Sequence, residues 1–284
     1  MRVSWRAKRA KDTIKGIEFG VKMKFSIITV TYNAEATLER TLQSVAQQTH
    51  PDIEHLIIDG ASKDKTLEIA HRYPHAIVMS EPDKGLYDAM NKGLQRATGD
   101  FLCFLNAGDQ LHSKDTLAHL AQSATNASLA SDSSLPFDSS LVTDGSPIGV
   151  LYGDTHIVDA QGHFLRNRRL TPPEHLTWRS FKDGMLVCHQ AFYVNRQIAL
   201  SYDLSYRFSA DFDWCIRCMK EGELRGMQNL YLHEPIADYL AEGMTTANHQ
   251  ASLKERFKIM AKHYGLMPTI GQHIWFIFRV LVKK

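Results

Sequence analysis

The sequence predicts an α/β protein whose core is a mostly parallel, doubly wound sheet. Within the first hundred residues, short apolar runs rich in β-branched residues alternate with amphipathic segments of helical period. Continuous apolar runs are typical of strands that are buried on both faces by helices, as in parallel sheets. The chain has 284 residues, 44% of them hydrophobic, which is enough for one large core or two closely packed halves.

The elements follow in order along the first hundred residues. Apolar runs predict strands at 25–31, 54–59, 76–80 and 101–105, and helical patterns predict helices at about 35–48, 64–72 and 86–97. The carboxyl ends of parallel strands meet at one edge of a sheet, and ligands bind there. The residues that follow each predicted strand are therefore the first candidates for a binding site.

The second part of the chain has a less regular pattern. Residues 126–147 are rich in Ser, Asp and Gly and lack periodicity, which predicts a surface loop. Strands at 150–158 and 163–169 are predicted to form a hairpin, and two helices are predicted at the C-terminus. The predicted organisation is a basic arm at 1–23, one half at 24–110, a second half at 111–248 and C-terminal helices at 249–284.

Charge is concentrated at the N-terminus. The net charge is +2, but residues 1–24 carry eight Lys and Arg against Asp12 and Glu18, so the remainder is net negative. A nucleic-acid-binding protein needs basic residues along a binding surface, so that class is excluded. The basic arm lacks the apolar core of a secretory signal, which favours a cytoplasmic location. Residues 274–284 are too short and too charged to span a bilayer, and an interfacial helix and a helix packed on the domain both remain open.

The four cysteines show no disulfide framework. Cys103, Cys188, Cys215 and Cys218 lie in or beside apolar stretches without regular spacing, which favours a reducing compartment. Cys215 and Cys218 form a C-x-x-C pair, but the surrounding segment has a helical pattern and no second ligand pair follows. Buried helical cysteines are therefore expected in preference to a zinc or redox site.

Polar residues follow the first strand. Thr29, Val30 and Tyr32 stand at its end, where the ring of Tyr32 can cover a nucleotide base. The alternative to a binding role is that Asn33 caps the start of the following helix. This explains the presence of Asn33 but not that of the residues before it.

The next two segments add carboxylates. Asp59 ends the second strand, where it can accept hydrogen bonds from a base or a ribose hydroxyl. Asp83 and Asp88 lie around the start of the third helix and can hold ribose or phosphate-linked groups through water or a metal, and Asn91 completes this segment. Lys84 either pairs with the negative charge of a pyrophosphate or is a solvated surface lysine.

The fourth strand is followed directly by side chains that can supply oxygen ligands to a metal. Asn106, Ala107, Gly108 and Asp109 follow its apolar run. Such a site suits Mg²⁺ or Mn²⁺, which take a few protein oxygens and complete their shell from phosphates and water. The chain contains no G-x-G-x-x-G and no Walker sequence, which counts against dehydrogenases and NTPases with the same α/β pattern.

Together, the four segments resemble the nucleotide-sugar-binding half of family 2 glycosyltransferases, which have the GT-A fold. The shared pattern is Thr-Tyr-Asn after the first strand, Asp-Gly-x-Ser-x-Asp-x-Thr after the second, Asp-x-Gly-x-x-x-Ala-x-Asn around the third helix and Asn-Ala-Gly-Asp after the fourth strand. At the earlier aspartate positions of the fourth segment this chain has Asn106 and Gly108, so Asp109 alone matches the family's metal ligand. The donor-binding residues that the resemblance implies are Thr29, Val30, Tyr32, Asp59, Asp83, Asp88, Asn91, Asn106 and Ala107.

The resemblance continues, more weakly, into an acceptor-side extension. Residues 209–214 occupy the place of the family's Glu-Asp motif, whose second carboxylate is the general base. This implies that Asp211 is the catalytic base, with a helix N-cap as the alternative. Asp213 corresponds to the family's structural carboxylate at the helix start and is assigned to the acceptor side. Residues 239–246 resemble a loop that closes over the pyrophosphate, with Gly243 as its hinge.

A further segment, 184–190, resembles the family's acceptor-side segment. The resemblance implies that His189 and Gln190 line the acceptor sugar site. A core histidine whose ring is satisfied by the backbone is the alternative for His189.

The implied function is inverting transfer of a sugar from a nucleoside-diphosphate sugar, a UDP-sugar first, to an acceptor hydroxyl. The family's range implies a saccharide or lipid-linked acceptor of a bacterial surface-polysaccharide pathway of the colanic-acid type, at the inner face of the plasma membrane. Two alternatives remain open. One is a nucleotidyltransferase that releases pyrophosphate, although a Gly-Arg-rich triphosphate loop is not evident, and the other is a non-catalytic subunit that binds a nucleotide, a membrane or a partner.

Overall fold

The structure is a computed structural model, which describes residues 23–130, 146–241 and 249–282. The basic arm up to residue 22, most of the predicted loop at 126–147 and the predicted hinge at Gly243 lie outside the described residues. Among the helices of the described residues, none combines the length and the apolar character that crossing a membrane requires.

The predicted parallel sheet is confirmed in the first half of the chain. Strands β1 and β4 lie side by side, and β2 and β3 extend the sheet beyond β1, so that all four strands run parallel. Helix α1 begins three residues later than predicted, because Asn33 has a left-handed φ of 50° and a turn follows it. The elements are β1 (Phe25–Thr31), α1 (Leu38–Ala46), β2 (Ile53–Asp59), α2 (Thr66–His71), β3 (Ala76–Ser80), α3 (Leu86–Arg96) and β4 (Phe101–Phe104).

The second half continues the same sheet with mixed pairing. Its strand order runs β4, β8, β6, β9, β5, with β7 paired to β6. Strand β8 is antiparallel to both β4 and β6, whereas β6 and β9 are parallel. The elements are β5 (Gln110–Leu111), α4 (Thr116–Ala130), β6 (Ile148–Val158), β7 (Phe164–Asn167), β8 (Phe192–Asn195), α5 (Ala210–Leu224), β9 (Gln228–Leu240), α6 (His249–Tyr264) and α7 (Leu266–Val282).

One boundary prediction in this half is wrong. The predicted loop at 126–147 starts too early, because α4 continues to Ala130. The hydroxyl of Thr125 donates to the carbonyl of Ala121, and that of Ser128 donates to the carbonyl of Ala124, so these polar residues bond back to their own helix. The predicted hairpin is confirmed as the antiparallel β6–β7 pair, and the two C-terminal helices are confirmed as α6 and α7.

Packing of α5 against the sheet brings the two halves together. The ring of Trp214 packs edge-on against Phe104 of β4, with 5.5 Å between ring centroids, and the apolar residues of α5 from Ala210 to Met219 are buried. Cys215 and Cys218 are fully buried on this helix, as expected for helical core cysteines. This packing holds the first turn of α5 beside the carboxyl ends of β1 and β4. Between these two strands the order of strands in the sheet changes direction, and ligands bind at such a point.

Candidate functional site

A cavity of about 940 Å³ opens at the carboxyl ends of β1 and β4. Its volume lies at the upper end of the range for sites that enclose a small ligand, roughly 300–1,000 Å³. The segments after all four N-terminal strands reach it, as does the first turn of α5. The sequence-predicted residues that line it are Val30, Tyr32, Asp83, Asn106, Ala107, Asp109, His189, Gln190 and Asp211.

One end of the cavity is an open corner formed by Tyr32, Gly60 and Asp83. The ring of Tyr32 is 66% exposed, so it offers a free aromatic face. A Cβ at Gly60 would overlap the Asp83 carboxylate and lie 3.4 Å from the Tyr32 ring, so a side chain at this position would displace the carboxylate of Asp83. The corner combines an aromatic surface with a carboxylate acceptor. Such a pair can stack on a planar ring and accept a hydroxyl hydrogen bond.

Thr29 and Asp59 are not brought to the cavity wall. The hydroxyl of Thr29 is buried 3.0 Å from His55 Nε2. The Asp59 carboxylate accepts hydrogen bonds from Ser62 of the loop that follows it and from Ser80 at the end of β3. Although burial raises the pKa of Asp59, these hydrogen bonds lower it overall. Thr29 is bonded within the sheet and Asp59 holds the loop after β2, and neither position supports direct side-chain contact with the sugar donor.

Asp88 and Asn91 also face protein groups. The Asp88 carboxylate accepts a hydrogen bond from the backbone N–H of Lys84 at the start of α3. The Asn91 amide forms two hydrogen bonds with the backbone of Tyr202, one as donor at 3.1 Å and one as acceptor at 2.7 Å. Asn91 therefore fastens α3 to the segment before α5 and does not line the cavity.

The loop after β4 buries one carboxylate at the cavity wall. Asp109 is 4% exposed, and its two oxygens accept hydrogen bonds from Gln190 Nε2 at 2.6 Å and from the backbone N–H of Leu240 at 2.9 Å. Burial raises the pKa of Asp109 to about 6, although the hydrogen bonds from Gln190 and Leu240 act to lower it. Gly108 has a φ of 104°, and a Cβ there would lie 2.9 Å from the Leu240 side chain, so this loop requires glycine.

The donor set at this loop fits a hard divalent cation. In the described part of the chain, the buried Oδ1 of Asn106 has no hydrogen-bond partner, and Asn106 lines the cavity together with Asp109. Each Asp109 oxygen accepts one hydrogen bond and retains a lone pair. One amide oxygen and one carboxylate are a donor set that Mg²⁺ or Mn²⁺ accepts when ligand oxygens and water complete the shell.

Asp211 lies on the first turn of α5 and faces the cavity. The N-cap of α5 is Ser209, so the alternative role of Asp211 as an N-cap is wrong. The hydroxyl of Tyr87 donates to Asp211 Oδ1 at 3.2 Å, and His189 Nδ1 lies 3.4 Å from Oδ2. Although burial raises the pKa of Asp211, His189 and the charge of Arg256 lower it overall. Asp211 is therefore ionised at neutral pH, as a general base must be.

His189 links the two sides of the cavity. Its Nε2 lies 3.2 Å from Asn106 Nδ2 on the loop after β4, while its Nδ1 faces Asp211 on α5. The alternative of a core histidine satisfied by the backbone is wrong, because both ring nitrogens face side chains at the cavity. His189 therefore connects the candidate metal loop to the candidate base.

Asp213 is not brought to the cavity, which corrects its assignment to the acceptor side. Its carboxylate is fully buried and forms ion pairs with Arg217, with His263 at 2.8 Å and with Lys262 at 3.3 Å. Burial raises the pKa of Asp213, but the hydrogen bonds from His263 and Arg217 hold it well below the usual range for a carboxyl. Asp213 is a buried anchor between α5 and α6.

Three arginines that line the cavity, Arg168, Arg207 and Arg256, were missed by the sequence analysis. Arg256 comes from the C-terminal helix α6. Glu255, beside it, accepts hydrogen bonds from the backbone N–H groups of Arg207, Phe208 and Ser209 at 2.8, 2.8 and 2.9 Å. Helix α6 therefore fixes the segment that leads into Asp211 and adds positive charge beside it. No local motif marks Arg207 or Arg256, since their position depends on the packing of a distant helix.

Comparison with known proteins points to one family. The family model described as Glycosyl transferase family 2 matches residues 26–200. A PGL/p-HBAD biosynthesis glycosyltransferase of Mycobacterium bovis (strain BCG / Pasteur 1173P2) is 34% identical over 227 residues, which cover 76% of each chain. The amylovoran biosynthesis glycosyltransferase AmsB of Erwinia amylovora is 28% identical over 232 residues, covering 76% of this chain and 69% of AmsB.

Solved structures with a similar fold are more distant in sequence. Residues 1–349 of S. aureus TarS, in complex with UDP-GlcNAc, superpose with a TM-score of 0.64 and 17% identity, covering 89% of this chain and 73% of that one. Glucosyl-3-phosphoglycerate synthase from Mycobacterium tuberculosis, in complex with Mn²⁺, UDP and phosphoglyceric acid, has a TM-score of 0.55 and 15% identity, covering 92% of this chain and 84% of the synthase.

Proposed function

The chain belongs to glycosyl transferase family 2 and has the GT-A fold, and from this we propose that it transfers a sugar from a UDP-sugar to an acceptor hydroxyl with inversion at the anomeric carbon. The observation that carries the proposal is the ionised Asp211, which Tyr87 and His189 hold at the wall of the cavity. Because the family is one of glycosyltransferases, the two alternatives of a nucleotidyltransferase and a non-catalytic subunit are set aside.

The nucleoside is proposed to bind in the corner of Tyr32, Gly60 and Asp83. Tyr32 offers an exposed ring for the base, and the Asp83 carboxylate can accept a ribose hydroxyl. The choice of uridine is supported by two proteins of similar fold, whose structures contain UDP-GlcNAc and UDP.

The diphosphate is proposed to lie between the loop after β4 and the side chains of Arg207 and Arg256. Asp109 and Asn106 would hold Mg²⁺ or Mn²⁺, and Mn²⁺ is present in a protein of similar fold. When bound, the cation supplies a Lewis acid that stabilises negative charge on the departing nucleoside diphosphate. The guanidinium groups of Arg207 and Arg256 add positive charge at the same cavity.

Asp211 is proposed to take the proton of the acceptor hydroxyl. The acceptor oxygen then attacks the anomeric carbon from the face opposite the nucleotide, the bond from that carbon to the diphosphate breaks, and the product has inverted configuration. Tyr87 donates to one oxygen of Asp211 and so fixes the orientation of the carboxylate, while His189 keeps it ionised. Gln190 orients Asp109 in the same way.

The acceptor is proposed to be a lipid-linked saccharide at the cytoplasmic face of a bacterial membrane. Relatives named for PGL/p-HBAD and amylovoran biosynthesis support a role in the assembly of surface glycoconjugates. Helix α7 presents Ile274, Trp275 and Phe278 to solvent, each more than half exposed. An exposed aromatic and aliphatic face of this kind suits insertion into a membrane interface.

Calorimetric titration with UDP, GDP and dTDP, with and without Mn²⁺, tests the donor site. We expect UDP to bind most tightly, Mn²⁺ to strengthen the binding, and Asp109→Ala to abolish that effect of the metal. Asp115→Ala is the control, since Asp115 is a surface carboxylate that accepts a hydrogen bond from Thr49. Absence of binding by all three nucleotides would contradict the proposal. NMR of the glycoside product tests the mechanism, because retained anomeric configuration would exclude single displacement by Asp211.

A further inference from the structure

Three metal-ligating side chains from adjacent strands meet on the sheet, and none of the three lines the cavity. In the pairing of β9 with its neighbours, Asp238 lies opposite His156 of β6 on one side and opposite Gln110 of β5 on the other. His112 follows β5, and its backbone N–H donates to the carbonyl of Ile236. The next residues along β6 and β9, Ile157 and Tyr239, line the cavity. Because successive side chains point to opposite faces of a sheet, His156 and Asp238 lie on the face away from the cavity.

The ligating atoms of the three residues are close together. His112 Nδ1 lies 2.8 Å from Asp238 Oδ1, and His156 Nδ1 lies 3.9 Å from the same oxygen. One ligating atom from each residue can be chosen so that all three lie within 4.8 Å of one another. The side chains are between 17% and 33% exposed, so the cluster is partly buried but open to solvent.

A hydrogen-bonded ion pair accounts for only two of these residues. His112 donates to Asp238, and this hydrogen bond raises the pKa of His112. In contrast, neither ring nitrogen of His156 has a hydrogen-bond partner within the described ranges, although its ring is mostly buried. The His156 ring packs edge-on against the rings of His112 and Phe164. This packing aims Nδ1 of His156 at the Asp238 carboxylate and adds a third ligating atom to the pair.

We propose that His112, His156 and Asp238 form a binding site for one Zn²⁺, separate from the donor site. Two imidazole nitrogens and one carboxylate are a donor set typical of zinc, with water in the fourth position, whereas Mg²⁺ and Mn²⁺ favour oxygen ligands. Tetrahedral zinc places its ligand atoms about 3.3 Å apart. Ligating atoms that lie up to 4.8 Å apart must therefore approach each other by about 1.5 Å for the site to close. The proton of the His112–Asp238 hydrogen bond leaves as the metal binds.

The zinc site would fasten the strands that support Asp109. Asp109 immediately precedes β5, and the Leu240 N–H that donates to it lies two residues after Asp238 on β9. A metal that joins β5, β6 and β9 holds both partners of this hydrogen bond in place. The role is structural, so its test does not depend on the proposed glycosyl transfer.

The experiment is a Zn²⁺ titration of the full chain after chelator treatment, followed by calorimetry and by thermal unfolding. We expect one equivalent of zinc to bind and to raise Tm by about 5 °C at a hundredfold excess over Kd. Both effects should be lost in His156→Ala and Asp238→Asn. His156→Ala is the cleaner variant, because it removes a ligand without breaking a hydrogen bond among the described residues. Co²⁺ should give the visible absorption of a four-coordinate site in the wild type alone.

Three controls make the result specific. His119→Ala tests another histidine–carboxylate pair, since His119 of α4 has its Nδ1 3.0 Å from Glu234 of β9, and this variant should bind zinc as the wild type does. Asp109→Asn should also retain the zinc site, and Mg²⁺ in excess should not displace the metal. Zinc binding that is equal in the wild type, His156→Ala and Asp238→Asn would overturn the proposal, as would the lack of stoichiometric binding by the wild type.

Discussion

His189 Nδ1 lies 3.4 Å from Asp211 Oδ2 at the wall of the cavity. The other nitrogen of the same ring faces the Asn106 amide at 3.2 Å. The loop proposed to hold the cation and the carboxylate proposed to act as base therefore share one imidazole. A change in the position of Asn106 can therefore act through His189 on the protonation of Asp211.

Replacement of His189 should shift the pH profile of the enzyme. His189 lowers the pKa of Asp211, so its loss raises that pKa, and a larger fraction of Asp211 is protonated at a given pH. We expect His189→Ala to move the acid limb of the kcat/KM profile to higher pH and to lower kcat by about tenfold or more. Steady-state kinetics that extend below the ordinary carboxyl pKa of 3.8 measure both effects. An unchanged acid limb would show that His189 does not act on the base.

Tyr87 and Tyr202 offer a matched pair of hydroxyl deletions. The two rings stack with 5.4 Å between centroids, but only the Tyr87 hydroxyl bonds to Asp211, whereas the buried hydroxyl of Tyr202 has no partner in the described ranges. Tyr87→Phe should lower kcat by about tenfold with little change in the affinity for UDP, since a hydrogen bond to a charged group is lost. Tyr202→Phe should leave kcat unchanged. Equal losses in both variants would indicate a packing effect.

Asp213→Asn should destabilise the protein. The substitution leaves Arg217 and the buried His263 without their carboxylate, which costs about 3 kcal/mol in the free energy of unfolding. Because the pKa of Asp213 is lowered in the folded state, its stabilisation is present above the ordinary value of 3.8 and is lost as pH falls below it. Urea unfolding at pH 7 and at pH 3 should therefore show a large difference from the wild type at pH 7 and a smaller one at pH 3. A difference that grows toward pH 3 would contradict this account.

The exposed face of α7 should bind membranes. Replacing Ile274 and Trp275 by serine removes two side chains that are 62% and 52% exposed, so little folded-state packing is lost. We expect the double variant to sediment with vesicles of anionic phospholipid at least about tenfold less than the wild type. Leu224→Ser is the control, because Leu224 is 83% exposed at the end of α5. Equal sedimentation of all three proteins would exclude this face as the contact.

The sequence predicts the N-terminal half better than the rest because its signals are local. Strand β1 is buried at all seven positions and lies where its apolar run predicts. Strand β9 was not predicted, because most of its residues are partly exposed and its apolar pattern is weak. The segment of Asp211 was found by resemblance, but Arg256 reaches the same cavity only because α6 packs beside α5. The cluster of His112, His156 and Asp238 depends on strand pairing across more than a hundred residues, which no local motif records.

The most direct test of the central claim is UDP release from UDP-sugars by the wild type and by Asp211→Asn, with bacterial lipid extract as the source of acceptor. Asn is isosteric and can still accept the Tyr87 hydrogen bond, so the fold and the donor site should be retained. We predict that Asp211→Asn lowers turnover by about 10²- to 10⁴-fold and leaves UDP affinity within about threefold of the wild type. Asp203→Asn, on the surface, should match the wild type. Turnover by Asp211→Asn close to that of the wild type would contradict the assignment of Asp211 as the base.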